Sequence, residues 1–174
     1  MLAFLVMSVD EHRRAAPATL GFAVITVSDS RAAADDTSGD AIRRLAVGTG
    51  HRVEMSTLIP DDVAAIRHAL AQILSTPGID VVVVTGGTGF SPRDLTVDAA
   101  APLFERPIEG FGELFRMLSY RQVGAAAMLS RAAAGMASGR AIFLLPGSPK
   151  AVTLAMEELI LPEAGHLLSQ ARRA

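Results

Sequence analysis

Apolar positions along the chain fall into short unbroken runs separated by stretches where they recur every three or four residues. Leu20–Val27 (LGFAVITV), the four valines Val81–Val84 and Ala141–Leu145 (AIFLL) are the runs. Segments this short and this uniformly apolar suit strands covered on both faces, the condition of a parallel sheet between helical layers. Between them, Ile42, Leu45 and Ala46 share one helical face, as do Val63, Ile66, Leu70, Ile73 and Leu74. Arg52–Ile59 alternates enough to be a strand nearer an edge. Strands alternating with helices imply right-handed crossovers, and the expected fold is α/β with three layers: a mainly parallel sheet flanked by helices.

Turn chemistry sets the boundaries. Thr37 and Asp40 have capping-box spacing and open the first helix, which Gly48 and Gly50 end. Pro60-Asp61-Asp62 starts the second, and Pro77-Gly78 closes it. Val97–Phe104 reads as a short helix and Gly110–Val123 as a longer one with Phe111, Leu114, Phe115 and Leu118 inward. Ala125–Gly139 is alanine-rich and open between helix and strand. A last helix runs from about Lys150 to Ile160 and resumes after Pro162. Residues 1–18, which end in a polar stretch containing Pro17, are expected to form a loosely held arm, and residues 19–174 one domain.

Composition removes several classes of function. A formal charge of −2 and a pI near 6.1 give no basic field for nucleic acid. The chain has no cysteine, so disulfides, thiolate metal sites and cysteine nucleophiles are excluded, which fits a cytoplasmic protein. The opening MLAFLVM is too short to span a bilayer and lacks the features of a signal peptide, so no membrane anchor or export is expected. His12, His51, His68 and His166 have no ligand spacing.

Candidate chemistry lies where the valine run stops, at Thr85-Gly86-Gly87-Thr88-Gly89, followed by Pro92, Arg93 and Asp94. No Gly-Lys-Ser/Thr follows, so this is no Walker loop, and Pro92 stands where a dinucleotide fingerprint needs glycine. In a parallel sheet the carboxyl ends of the strands share one edge, so the turns at Ser28–Arg31, Pro60–Asp62, Thr85–Asp94 and Pro146–Lys150 should gather there. Ser148 before Pro149 has the pattern of an N-cap with proline at the first helical position. Several of these residues also have structural readings. Asp61, Thr37 and Ser38 could cap helices, Asp29 could brace its loop through an Asx turn, and Arg93 and Lys150 could be solvated. Asp94 is harder to explain that way, because a hard oxygen ligand beside a glycine loop suits Mg²⁺.

VITVSDSR, DDTSGD, IPDD, VVVVTGGTGFSPRDLT, IEGFGELFRMLSY and LPGSPKA together resemble the MoaB/Mog family of molybdenum-cofactor biosynthesis proteins, in family order over about residues 20 to 165. SVDEHRRAAP resembles the amino-terminal arm of the archaeal and actinobacterial branch. The resemblance implies an α/β protein that binds molybdopterin and transfers AMP to it from Mg-ATP, assembled as a homotrimer or homohexamer. It implies that Asp61 and Asp94 are the two catalytic carboxylates, with Asp94 the Mg²⁺ ligand, and that Gly86, Gly87, Thr88 and Gly89 cradle phosphate. Ser28, Asp29, Asp36, Thr37, Ser38, Gly39, Arg93, Pro146, Gly147, Ser148 and Lys150 match other parts of the substrate pocket. The intact Arg93-Asp94 pair favours a working enzyme. Two other readings are a catalytically silent molybdopterin-binding scaffold and a CinA-type domain; the latter is usually joined to a second domain, for which this chain has no room.

Overall fold

The computed structural model describes residues 17–29 and 35–172; Ser30, Arg31 and most of the expected arm lie outside them. The strands are β1 Gly21–Val27, β2 Arg52–Ile59, β3 Val81–Thr85, β4 Arg106–Pro107, β5 Ala133–Ala137 and β6 Arg140–Leu145. They form one sheet in the order β2-β1-β3-β6-β5-β4. The first four in that order are parallel, and β5 runs antiparallel to both β6 and β4. The helices are α1 Thr37–Gly48, α2 Val63–Ser75, α3 Thr96–Ala100, α4 Glu109–Val123, α5 Pro149–Ala155 and α6 Leu161–Ala171.

The unbroken apolar runs are buried on both faces because helices cover each side. Phe22, Val24, Val81, Val83, Phe143 and Leu145 point to the layer of α1, α4, α5 and α6, where they meet Ile42, Phe115, Val152 and Leu168. Ala23, Ile25, Val82, Val84, Ile142 and Leu144 point the other way, onto Ile66, Leu70 and Ile73 of α2 and Ala99 and Ala100 of α3. Burying each large branched side chain contributes roughly 1.5–3 kcal/mol. β2 alternates between exposed and half-buried residues, as befits the edge it occupies.

Local chemistry departs from the sequence expectations in four places and resolves a fifth that was open. Asp36 caps α1, accepting the Gly39 N–H on Oδ1 at 2.9 Å, so Thr37 and Ser38 are not the caps. Asp62 caps α2 through the Ala65 N–H at 2.8 Å, so Asp61 is not that cap either. Asp62→Ala should therefore lower stability by about 1 kcal/mol. That is a melting-temperature fall of roughly 2–4 °C in a thermal scan, with activity retained. The alanine-rich stretch divides into a 3₁₀ segment, Gly124–Leu129, and β5, which turns into β6 through Ser138 and Gly139 at φ 49° and 72°. Positive φ at both central residues is the geometry of a two-residue hairpin. In α4 the buried positions are Phe111, Gly112, Phe115 and Ser119, while Leu114 is 47% exposed. The carboxyl-terminal helix does not stop at Pro162. A π turn over Met156–Ile160, in which the Leu161 N–H reaches Met156 O, joins α5 to α6 immediately before Pro162, which has no N–H to donate to the helix.

Candidate functional site

β1, β2, β3 and β6 end level with one another, with Val27 beside Ile59, Thr26 beside Thr85, and Thr85 beside Leu145. Their following turns therefore emerge along one edge. Gly86 leaves β3 at φ 102°, and a Cβ there would lie 2.2 Å from Val27 O, so only glycine lets the chain turn this close to β1. The Gly86 N–H donates to Leu145 O at 3.0 Å, Thr85 Oγ1 donates to Pro146 O at 2.9 Å, and Thr96 Oγ1 donates to Gly86 O at 2.8 Å. A Cβ on Gly147 would sit 3.3 Å from Gly86 Cα. The glycine bend and the Pro146–Lys150 bend are thus in contact.

Three carboxylates meet beside this junction. Asp61 donates its N–H to Asp29 Oδ1 at 2.9 Å and accepts the Leu95 N–H on Oδ1 at 3.1 Å. It borders Gly87, where a Cβ would fall 2.5 Å from Asp61 Oδ2. Partial burial pushes the Asp61 carboxyl above the usual carboxylate range; the Leu95 N–H opposes that, and the charges of Asp94 and Asp29 add to it. Asp94 closes its own turn, accepting the Ser91 N–H on Oδ2 at 2.8 Å and donating its N–H to Ser91 O at 2.9 Å.

A cleft of about 730 Å³ lies over these groups, lined by Ser28, Asp29, Asp61, Gly86, Gly87, Thr88, Gly89, Arg93, Asp94, Pro146, Gly147 and Ser148. Ser148 caps α5 through the Ala151 N–H at 3.2 Å, with Pro149 at the first helical position as its sequence indicates. Across Pro146, Ser148 and Pro149 the cleft adjoins a second hollow of about 920 Å³, whose wall holds Thr37 and Lys150 together with Arg44, Glu157 and Glu158. Both volumes suit small-molecule ligands.

Asp36, Ser38 and Gly39 line neither space. Asp36 is buried and also accepts a hydrogen bond from Thr26 Oγ1 at 2.8 Å, and buried Ser38 donates its Oγ to Gly147 O at 2.9 Å. Ser38 thus supports the Pro146–Lys150 bend from behind, while Asp36 and Gly39 tie the start of α1 to β1. Sequence reasoning missed Ala126 and Leu129 of the 3₁₀ segment and Ser130 just after it, which complete the cleft wall, and Arg131 behind them. An alanine-rich stretch of open secondary structure offered no cue to them.

Among the described residues no three side chains form a preassembled metal cluster. A cation seated here would take one or two carboxylates and complete its shell with phosphate oxygens and water, the usual habit of Mg²⁺. The donors fit that role: they are hard oxygens, and the repulsion from Asp94 and Asp29, which adds to the burial that raises Asp61, is what a divalent cation would relieve.

Residues 23–166 match the family described as "Probable molybdopterin binding domain". Molybdenum cofactor biosynthesis protein B of Halalkalibacterium halodurans is 42% identical over 165 residues, spanning 94% of this chain and 97% of that protein. A crystal structure of a molybdenum cofactor biosynthesis protein B superposes with a TM-score of 0.88 at 41% identity, covering 91% of this chain and 99% of the other. The tungsten cofactor synthesizing protein MoaB from Pyrococcus furiosus superposes with a TM-score of 0.82 at 39% identity, covering 91% and 100%. With its glycine bend, paired aspartates and sheet order all in place, the chain belongs to the MoaB/Mog family of molybdenum cofactor biosynthesis proteins.

Proposed function

We propose that this protein adenylylates molybdopterin with Mg-ATP. A terminal phosphate oxygen of molybdopterin attacks the α-phosphorus, a new P–O bond forms, the bond to the bridging oxygen breaks, and pyrophosphate leaves. The observation that carries this reading is the meeting of the glycine bend, Asp61, Asp94 and the Pro146–Lys150 bend at one sheet edge, with a second hollow opening from the same wall. Phosphoryl-type transfer needs alignment and charge neutralisation more than covalent help from the protein. The backbone of Gly86–Gly89 approaches phosphate without side-chain obstruction, Arg93 and Lys150 supply positive charge from the two cavities, and Asp94 and Asp61 hold Mg²⁺. An ion held there would supply neutralisation of the crowded phosphate charge.

The direct test is incubation with molybdopterin, ATP and Mg²⁺, assayed for adenylyl-molybdopterin and pyrophosphate. Molybdopterin retained with no pyrophosphate released marks the silent binding scaffold instead. A pH profile adds an independent check. Asp61 must be ionised to help hold the cation, and its carboxyl titrates above the ordinary range, so kcat/KM should rise with pH through that raised value. Added Mg²⁺ should move the rising limb to lower pH, and Asp61→Asn should flatten it. Because the folded state favours the protonated acid, Asp61 contributes stability at low pH that is lost as pH rises through its folded pKa. Asp61→Asn should therefore melt no lower than the wild type at pH 7.

The same reading includes assembly. Leu114, Met117, Tyr120 and Val123 of α4 are 47–63% exposed, and Met128 and Leu129 beyond it are 73% and 59% exposed. A face this apolar suits another copy of the chain, in a homotrimer or homohexamer that sedimentation of the purified protein would size.

A further inference from the structure

We infer that Arg131 is a positioning residue for this site: it grips the glycine loop at several points and so fixes Asp94 at the cleft edge. Its consequence for turnover rests on the adenylylation proposed above; its effect on the loop does not.

The loop between Gly89 and Asp94 projects from the sheet edge, with Phe90 69% exposed and Ser91, Pro92 and Arg93 also exposed. Asp94 fastens only to Ser91 within that loop through its carboxylate and N–H. Ties from outside come largely from one residue. The Arg131 N–H donates to Thr88 O at 3.2 Å, and Nη2 donates to Asp94 O at 3.1 Å. The guanidinium carbon lies 5.7 Å from the centre of the Phe90 ring, within cation–π range. Nη1 and Nη2 also reach the two Asp98 oxygens at 3.3 and 2.8 Å, so the first turn of α3 aims the guanidinium. That hydrogen bonding and the arginine's charge hold the exposed Asp98 carboxyl below the usual range.

Arg131 does not itself line the cleft, so its influence passes through Asp94. The arrangement also requires an arginine. A planar fork can serve a carbonyl and both oxygens of a carboxylate while its face meets a ring; the single ammonium of lysine cannot.

The test is Arg131→Lys in the full-length protein, which keeps the charge and loses the fork. Loss of an orienting partner behind a ligand costs about 10–100-fold in metal affinity or activity. We expect kcat and the apparent Mg²⁺ affinity to fall by that order while KM for molybdopterin stays within about twofold. Backbone hydrogen exchange at Ser91 and Asp94 should quicken. Asp98→Asn should shift the same quantities in the same direction by less. A variant that melts lower but keeps wild-type Mg²⁺ dependence and exchange at Ser91 would overturn the assignment and leave Arg131 a structural residue. If the wild type transfers no AMP, the function proposed above fails, and the exchange measurement still decides the positioning role.

Discussion

Asp94→Ala is expected to remove AMP transfer by at least ~10³-fold, the scale of several kcal/mol that a metal ion lends to a charged transition state. The fold should barely notice. Asp94 is half-buried, and its carboxylate bonds to one backbone group, the Ser91 N–H of an exposed turn. Losing one such bond is worth about 1 kcal/mol or less at the surface, so the melting temperature should stay within a few degrees of the wild type. Pyrophosphate release under saturating Mg-ATP, measured beside a thermal melt, reads both quantities. Transfer at near wild-type rate by the variant would remove Asp94 from the metal site.

The contrast between Asp61 and Asp62 shows what a sequence conveys about such a site and what it withholds. Two adjacent aspartates before a helix announce a cap, but side-chain spacing does not say which of them caps. The structure gives the cap to Asp62 and turns Asp61 toward Leu95 and Gly87, 34 and 26 residues away along the chain. Asp36 and Thr37 repeat the ambiguity at α1. The sheet edge itself was legible, because runs such as Val81–Val84 are apolar on both faces only when helices cover both, and the turn after each strand follows from that. The antiparallel half was not. β4 is two residues long, and β5 is an alanine-glycine segment whose strand character comes from pairing with β6. Arg131 lies at the entrance to β5, so its contacts with Thr88 and Asp94 depended on a topology that local pattern did not reveal.

Two neighbouring glycines should respond differently to one added methyl group, and the difference separates fold from site. At Gly86 the new Cβ would fall 2.2 Å from Val27 O, with φ already at 102°. That oxygen belongs to the backbone where β1 leaves the sheet, so relief requires prising β3 from β1. Gly86→Ala should cost on the order of 3 kcal/mol, a melting-temperature fall of roughly 6–12 °C for a chain of this size. At Gly87 the same methyl would lie 2.5 Å from Asp61 Oδ2, a partly exposed side-chain atom that can rotate away, and 2.5 Å from Thr96 Oγ1, a buried hydroxyl that loses its bond to Gly86 O in moving. The backbone there, at φ 62°, adds about 1–2 kcal/mol of strain for a residue with Cβ. Gly87→Ala should therefore melt roughly 4–12 °C lower and also lose on the order of 10²-fold in kcat, since displacing the Asp61 carboxylate by about 1 Å is enough to spoil the alignment. Gly48→Ala, at the end of α1 with nothing within 4 Å of its Cβ, is the control that should change neither quantity adversely. If Gly87→Ala transfers AMP as the wild type does while Gly86→Ala melts as predicted, the bend is a structural turn and Asp61 has no part in the chemistry.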